Sequence, residues 1–469
     1  MTLESKESTD VARSPWAAAL IIVLGAFMAM LASTSVTVAV PDLAQRFEVR
    51  YEDAQWLATA YLLALAAGIP VSGWVSRRLG ATRLWLVCLA MFAAFSVACA
   101  LSSTFPMLLC GRIFQGLTGG VLVTAGQVIL GVVAGRARLG RVMSTTGIAV
   151  VVAPTLGTTV GAVLLAHADW RWLFWLNLPL SAVAIVAGVL ALPRTNLGSA
   201  GHLDWIGVIL GVGGLSAAVY GTSSIAAAGE FGDVAADAFV VAGILALIGF
   251  VVWSLRSANP LLNLRLFKNE VFAAGVVVMA VGGAVNFAAQ VVLPLYFVSA
   301  RDQDVMAAGL LVAPQIIGTA IGFPIAGRLA DRSGAGPMLI IGSVITALAT
   351  VPLALADGGT SFWWLGFVLF IRGLGVALST IPALTVSLAA VQADQLADAT
   401  PILNVAQRIG ASAGTAVAAL VYSAHLAGTD PKDAASVAFT VVSWWLFTGA
   451  CLLAGFAFLV ARTESRQDC

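Results

Sequence analysis

Residues 16–40 read WAAALIIVLGAFMAMLASTSVTVAV, a run of 25 residues without a charged side chain. A helix rises about 1.5 Å per residue, so roughly 20 apolar residues cross a hydrocarbon core about 30 Å thick. Inside lipid the backbone must satisfy its own hydrogen bonds, and a helix does so within one segment. This stretch therefore predicts a membrane-spanning helix.

Thirteen more apolar stretches follow along the chain. Hydrophobic residues make up 60% of the 469 residues and charged residues only 10%, which is far from the composition of soluble domains. We therefore predict an all-α integral membrane protein with fourteen transmembrane helices and no folded domain outside the membrane. The predicted spans are 16–40, 54–76, 84–105, 107–134, 142–166, 172–193, 205–228, 238–255, 271–300, 305–327, 337–356, 361–391, 400–426 and 435–461.

The basic residues are distributed unevenly between the two faces. Of 24 Lys and Arg residues, 16 fall on the face that holds both termini, 5 fall in the opposite loops and 3 lie within spans. Basic loops remain in the cytoplasm, which predicts a multi-pass protein of the cell inner (cytoplasmic) membrane with both termini cytoplasmic. Since there is no basic arm, the expected partners are the lipid bilayer and a small-molecule substrate, and not nucleic acid. No cofactor or metal site is predicted.

Two loops on the same face repeat one pattern. Residues 73–80 read GWVSRRLG and residues 327–334 read GRLADRSG, and each follows the second span of a set of six. Arg112 and Arg372 then occur two spans later in each set. This repeat indicates two related halves, which can rock about a shared cleft as in a transporter.

The repeat also predicts the domain organisation. Two six-helix pseudo-repeats would occupy residues 16–193 and 271–461, with an inserted helix pair in 194–270 and tails at 1–15 and 462–469. Glycines allow close approach in the repeated loops, and charged side chains can bond exposed backbone groups there. The predicted hinge residues are Gly73, Arg77, Arg78, Gly80, Gly327, Asp331, Arg332 and Gly334.

Several ordered motifs resemble the major facilitator superfamily, specifically its 14-span drug–proton antiporter branch. Residues 170–179, WRWLFWLNLP, resemble the WRWxFxxNxP signature, and residues 112–116, RIFQG, resemble RxxQG. Residues 260–267, PLLNLRLF, and residues 404–410, NVAQRIG, resemble two further motifs, the second with Arg and Gln exchanged. The resemblance implies the major facilitator fold and drug or antibiotic efflux by alternating access, driven by the proton gradient.

The chain departs from this family where a proton would be expected to bind. Ala32 occupies the place of the usual carboxylate in the first span, and Arg77 occupies the place of Asp in the first repeated loop. We find no acidic residue in the interior of a predicted span. Three alternatives follow: Asp42, Glu52 or Asp53 near the external mouth couples transport to protons, another group does so (including the substrate's own proton), or transport is uncoupled.

Three arginines lie within predicted spans. A charge at mid-membrane costs about 2.5–3.5 kcal/mol or more, so each side chain is expected to face protein or water. Each arginine either acts in coupling or braces its helix against backbone carbonyls. A glycine-rich fifth span resembles an altered antiporter motif. The predicted coupling or gating residues are Arg112, Arg372, Arg408, Asp42, Glu52, Asp53, Pro154, Gly157 and Gly161.

Polar side chains on the spans that would line the cleft are the candidates for substrate binding. Amides can hydrogen-bond a ligand while aromatic rings supply apolar area; the alternative for each is a bond between helices. A cleft without acids favours neutral, zwitterionic or anionic compounds over cations. The predicted residues are Ser33, Thr37, Tyr61, Gln115, Gln127, Asn286, Phe287, Gln290, Gln315, Asn404 and Gln407.

The resulting functional hypothesis is a secondary active transporter that exports amphipathic small molecules. The alternative within the same fold is a dedicated metabolite or natural-product exporter or an uncoupled facilitator. A membrane enzyme is not expected, because the three His residues are scattered among loops and span ends. The family resemblance implies a monomer.

Overall fold

The computed structural model describes residues 14–195, 201–228, 234–425 and 431–467, so most of the predicted N-terminal tail lies outside the described residues. Within these ranges all extended regular elements are helices, which confirms the predicted all-α class. The helices are α1 (Pro15–Arg46), α2 (Tyr51–Leu79), α3 (Ala81–Ala100), α4 (Phe105–Ala134), α5 (Leu139–His167), α6 (Trp172–Trp175), α7 (Asn177–Ala191), α8 (Trp205–Ala228), α9 (Val234–Arg256), α10 (Glu270–Ser299), α11 (Val305–Ser333), α12 (Ala335–Ala354), α13 (Phe362–Ala389), α14 (Leu396–Ala424) and α15 (Pro431–Gln467).

Thirteen spans in the described ranges are long and apolar enough to cross a membrane, with α6 and α7 forming one of them. The remaining long helix, α14, has 29 residues but a lower hydropathy, because it carries Asp398, Asn404, Gln407 and Arg408. The sequence placed the start of this span at residue 400. That boundary was wrong: α14 begins at Leu396, so Asp398 lies in its first turn rather than in a loop.

The helices before α8 and the helices after α9 pack in the same pattern. Helix α1 packs on α5 as α10 packs on α14, and α4 packs on α2 and α3 as α13 packs on α11 and α12. Helix α7 lies on α3 as α15 lies on α12. We call α1–α7 the N-terminal half and α10–α15 the C-terminal half. Equivalent residues can therefore be assigned between the halves.

The two halves meet along two seams, α2 with α14 and α5 with α11. Replacing each helix by its equivalent in the other half turns the α2–α14 seam into the α11–α5 seam, as expected for two repeats around one cleft. We call the face at which α1 begins, α2 ends, α5 begins and α11 ends the terminal face.

The inserted helices α8 and α9 pack on each other, and α8 also packs on α2 and α14. Buried Asp204 holds both ends of this pair, because its carboxylate accepts hydrogen bonds from the Gly207 N–H (2.9 Å), the Trp253 indole (2.8 Å) and the Leu261 N–H (3.1 Å). The Leu261 carbonyl in turn accepts a bond from Arg77 of α2 at 3.4 Å. Asp204 thus links the inserted pair to the terminal face of the α2–α14 seam.

Candidate functional site

Arg112 of α4 is fully buried and serves as a brace inside the N-terminal half. Its guanidinium donates to the carbonyls of Leu57 (3.0 Å) and Ala32 (3.1 Å) and to the Gln115 amide oxygen (2.7 Å). It also lies over the ring of Tyr61, 4.0 Å from the ring centroid. These three helices, α1, α2 and α4, are therefore tied together at one point, which offsets the cost of burying the charge.

Arg372 of α13 does the same in the C-terminal half. This fully buried guanidinium donates to the Gln315 amide oxygen (3.0 Å), the Val285 carbonyl (3.3 Å) and the Thr350 hydroxyl (3.4 Å). Gly373 lies against the Gln315 carbonyl as Gly116 lies against the Tyr61 carbonyl, so Gln315 corresponds to Tyr61, and Arg372 lies about one turn further along α13 than Arg112 does along α4. Both arginines bond the backbone of the first helix in their half.

Three predicted substrate residues therefore lie within these arginine networks. Tyr61 is fully buried, and its hydroxyl donates a hydrogen bond to the Ala29 carbonyl at 2.6 Å. Gln115 is fully buried between Arg112 and Ser96, to which its amide donates at 2.6 Å. Gln315 accepts from Arg372. In this conformation these side chains act as structural partners of arginine.

The halves are joined at the terminal face by an ion pair between Arg77 of α2 and Asp398 of α14. Both side chains are largely buried, with exposed fractions of 15% and 10%. Beside them Gly73 lies against the Ala397 carbonyl, where an added Cβ would approach that oxygen to 2.6 Å. The α2–α14 seam is therefore closed at this end.

A second ion pair closes the α5–α11 seam at the same face. Asp331 of α11, with a side chain only 2% exposed, accepts from the Arg141 guanidinium at 2.8 Å. It also accepts from the backbone N–H groups of Gly140 (2.9 Å) and Arg141 (3.2 Å), the free donors at the start of α5. The close contact of Gly327 with the Gly140 carbonyl completes this closure.

The remaining predicted hinge residues lie around these pairs. Gly80 and Gly334 end α2 and α11 with positive φ angles of 81° and 86°, a conformation that glycine adopts without a Cβ clash. Arg78 and Arg332 are exposed, and Arg78 lies over Trp74 at 5.9 Å. The two turns thus have the same backbone form. In each turn one charged side chain, Arg77 or Asp331, pairs with a residue of the other half.

A third polar link between the halves lies further from the terminal face. The Asn404 amide of α14 donates to the Gln127 amide oxygen of α4 at 2.7 Å. This bond and the two ion pairs are direct polar links between the N-terminal and C-terminal halves. The halves are therefore held together on the terminal-face side.

The other predicted substrate residues differ in exposure. Thr37 of α1 and Gln290 of α10, which are equivalent, are both exposed, and Asn286 and Phe287 are half-buried. The list is completed by buried Ser33, which donates to the Met30 carbonyl, and by Gln407, which lines a small cavity within the C-terminal half.

The carboxylates at the opposite mouth interact locally. Arg50 donates to Asp53 at 2.9 and 3.1 Å and to Glu52 at 3.4 Å. The hydrogen bond to Asp53 and the charges of both carboxylates raise the pKa of Arg50. Asp42 is exposed. Asp42 and Glu52 are thus exposed and Asp53 is half-exposed, so none of the three acids is buried.

The glycine-rich segment of α5 contacts α1 closely. The Thr34 hydroxyl of α1 donates to the Pro154 carbonyl at 3.0 Å. Gly157 and Gly161 lie against the α1 backbone at Leu31 and Ser35, leaving no room for a Cβ. These residues pack α1 on α5 within one half.

Comparison with known proteins agrees with this arrangement. Residues 22–415 match the family described as Major Facilitator Superfamily. The chain belongs to this superfamily. The predicted fold is thereby confirmed, since superfamily members are transporters built on this helix arrangement, and the protein is a membrane transporter rather than an enzyme.

Curated bacterial relatives have related names. A multidrug resistance protein B homolog of Mycobacterium tuberculosis is 31% identical over 400 residues, covering 85% of this chain and 74% of the relative. A lincomycin resistance protein of Bacillus subtilis is 28% identical over 410 residues (86% and 84%), and a tetracenomycin C resistance and export protein of Streptomyces glaucescens is 28% identical over 420 residues (89% and 78%).

Solved structures share the fold at low identity. The human organic anion transporter MFSD10 aligns with a TM-score of 0.64 at 17% identity, covering 94% of this chain and 99% of that protein. The proton:xylose symporter XylE aligns with a TM-score of 0.61 at 14% identity, covering 92% and 94%.

Proposed function

We propose that this protein exports amphipathic small molecules across the cytoplasmic membrane by alternating access. The observation that carries the proposal is the one-sided closure of the cleft. Both ion pairs between the halves lie at the terminal face, whereas Thr37 and Gln290 are exposed further along α1 and α10. A cleft closed at one end by separable contacts is what alternating access requires.

The distribution of charge supports an orientation. The terminal face carries the excess of Lys and Arg, and basic loops remain in the cytoplasm. Both termini would then be cytoplasmic, and the conformation would be open to the outside with its cytoplasmic gate closed. We use the name cytoplasmic gate for the pairs Arg77–Asp398 and Asp331–Arg141.

The relatives support the type of cargo. The relatives are named as a multidrug resistance protein homolog, a lincomycin resistance protein and a tetracenomycin C resistance and export protein. This chain shares 28–31% of its residues with them over most of its length. Since one chain contains both halves of the cleft, we expect a working monomer.

The cytoplasmic gate supplies candidates for proton coupling. Asp331 and Asp398 are buried carboxylates between the halves, and both must lose their arginine partners when the gate opens. A carboxylate without its cationic partner binds a proton more readily. Protonation and gate opening would therefore be linked, and the proton gradient would supply the energy.

A second candidate is a dedicated natural-product exporter or an uncoupled facilitator of the same fold. It is favoured by the exposed positions of Asp42 and Glu52, because neither carboxylate is buried as an embedded proton-binding acid would be. The two candidates differ in substrate range and in dependence on the proton gradient.

Retention assays in pump-deficient bacteria that produce the protein test both candidates. Cells would be loaded with cationic, neutral and anionic dyes or antibiotics, with and without a protonophore. Reduced retention of several compounds, abolished by the protonophore, supports coupled multidrug export. Movement that persists with the protonophore indicates a facilitator. If production of the protein changes the retention of no compound, multidrug export is contradicted.

A further inference from the structure

Helices α5 and α14 are equivalent but present different chemistry to the opposite half. Both have 29 residues, so Gly147 corresponds to Asn404 and Val151 corresponds to Arg408. On α5 the contact is apolar: partly buried Val151 packs against a cluster of buried hydrophobic side chains that includes Phe323 of α11. On α14 the same positions carry an amide and a guanidinium.

Arg408 must therefore face the N-terminal half. Asn404, one helical turn away on the same face, already reaches Gln127 of α4. Arg408 lies about 6 Å further from the terminal face than this bond, given the rise of a helix. It is half-buried, above the point at which the halves are joined.

Arg408 differs from the two other embedded arginines in its partners. Arg112 and Arg372 are each satisfied by three hydrogen bonds. Among the described residues, no group forms a hydrogen bond or an ion pair with Arg408. Its five N–H donors and its charge are thus available, at a depth where an unpaired charge is costly.

The floor of the cleft below Arg408 supplies further donors. The bond between Asn404 and Gln127 uses the amide oxygen of Gln127, so the amide nitrogen of Gln127 remains a donor without a partner in the described part of the chain. An arginine fork beside an amide N–H suits a planar carboxylate, which accepts several hydrogen bonds at once.

We propose that Arg408 is the binding group for a carboxylate on the transported compound. The inference rests on the proposed export function and specifies its substrate class: amphipathic molecules with an anionic group. The carboxylate binds the guanidinium, the Gln127 amide supports it, and the apolar part of the molecule occupies the remainder of the cleft. Binding supplies the counter-charge that the protein itself does not provide.

The test compares rhodamine B, which carries a free carboxylate, with its ethyl ester, which does not. Fluorescence anisotropy would give the affinity of each dye for the purified full-length protein in lipid nanodiscs. The variants are Arg408→Gln, Arg408→Lys and the control Arg256→Gln, which removes an exposed arginine at the end of α9. Thermal melting would verify that each variant is folded.

We expect the wild type and Arg256→Gln to bind the acid about tenfold or more tightly than the ester. Arg408→Gln should bind both dyes with the affinity of the ester, and Arg408→Lys should retain part of the preference. Equal wild-type affinities for the two dyes would overturn the carboxylate site and leave export intact. An unchanged preference in folded Arg408→Gln would overturn it as well. Binding of neither dye by the wild type would count against the export proposal together with this site.

Discussion

Arg77 of α2 and Asp331 of α11 occupy equivalent positions in the two halves and carry opposite charges, and each pairs with the opposite half. Their partners, Asp398 and Arg141, are also equivalent, each being the third residue of its helix. The gate therefore consists of one ion pair used twice with the charges reversed. Arg77, which occupies the place of the family's Asp, is compensated by the carboxylate of Asp398.

The first prediction concerns reversal of the pair on the α2–α14 seam. Arg77→Asp would place two carboxylates against each other, and losing one partner of a buried pair costs about 3 kcal/mol. We expect substrate efflux to fall at least about tenfold, and the double variant Arg77→Asp with Asp398→Arg to recover most of it. Efflux rates in cells, normalised to protein in the membrane, provide the measurement.

Arg78→Asp is the matched control, because Arg78 is the exposed neighbour and does not cross the seam. It should transport at close to the wild-type rate. A double variant no better than the single one would show that charge complementarity at this seam is unimportant.

The second prediction concerns the α5–α11 seam. Asp331→Asn removes the charge that faces Arg141 and weakens the bonds to the start of α5. The gate should then open more often. Ser144, which is 3% exposed beside Gly327, reports this opening. With all native cysteines replaced, Ser144→Cys should react with a water-soluble maleimide several-fold faster when Asp331→Asn is also present. Equal labelling rates would mean that Asp331 does not hold the gate.

A third prediction separates bracing from transport. Arg112→Gln or Arg372→Gln leaves buried carbonyls without donors, at about 1–3 kcal/mol for each such group. Both variants should lower the melting temperature of the detergent-purified protein, since each removes a guanidinium that makes three buried hydrogen bonds. Gln290→Ala, at an exposed position, is the control and should melt near the wild type. Wild-type melting of either arginine variant would contradict the bracing role.

The fourth prediction concerns helix contact within the N-terminal half. Gly120 of α4 lies directly against the Leu65 carbonyl of α2, so a methyl group there overpacks the contact. We expect Gly120→Ala to destabilise the protein by about 1–3 kcal/mol. Gly455 of α15 has no atom of another residue near its missing Cβ, so Gly455→Ala should be neutral or slightly stabilising. Thermal melting distinguishes the two, and equal melting temperatures would refute the close contact.

The helices and the internal repeat could be predicted from the sequence because both are local signals: apolar length, and one loop pattern used twice. The start of α14 could not, since Asp398 and the amides that follow lower its hydropathy. Aligning α5 with α14 from their first residues makes Arg141 the counterpart of Asp398, but this alignment requires the start of α14. The sequence cannot show which polar side chains become partners, because Arg77 and Asp398 lie far apart in the chain.

Tyr61 and Gln115 illustrate the same limit within the candidate site. Each polar side chain in a span requires a hydrogen-bond partner, but ligand and neighbouring helix satisfy that requirement equally well. Only the packing of α1, α2 and α4 shows that Arg112 contacts both side chains, the ring of Tyr61 and the amide of Gln115. Arg408 shows the reverse, because its partner is absent from the described residues.

The inserted pair α8–α9 lies against α2 and α14 and makes no comparable packing against α5 or α11 in the described residues. The two sides of the molecule are therefore unequal toward the surrounding lipid. An apolar compound dissolved in the bilayer would meet the inserted pair if it approached the α2–α14 seam, but not if it approached the α5–α11 seam. A sideways route from the membrane into the interior would therefore be less obstructed on the α5–α11 flank of the molecule.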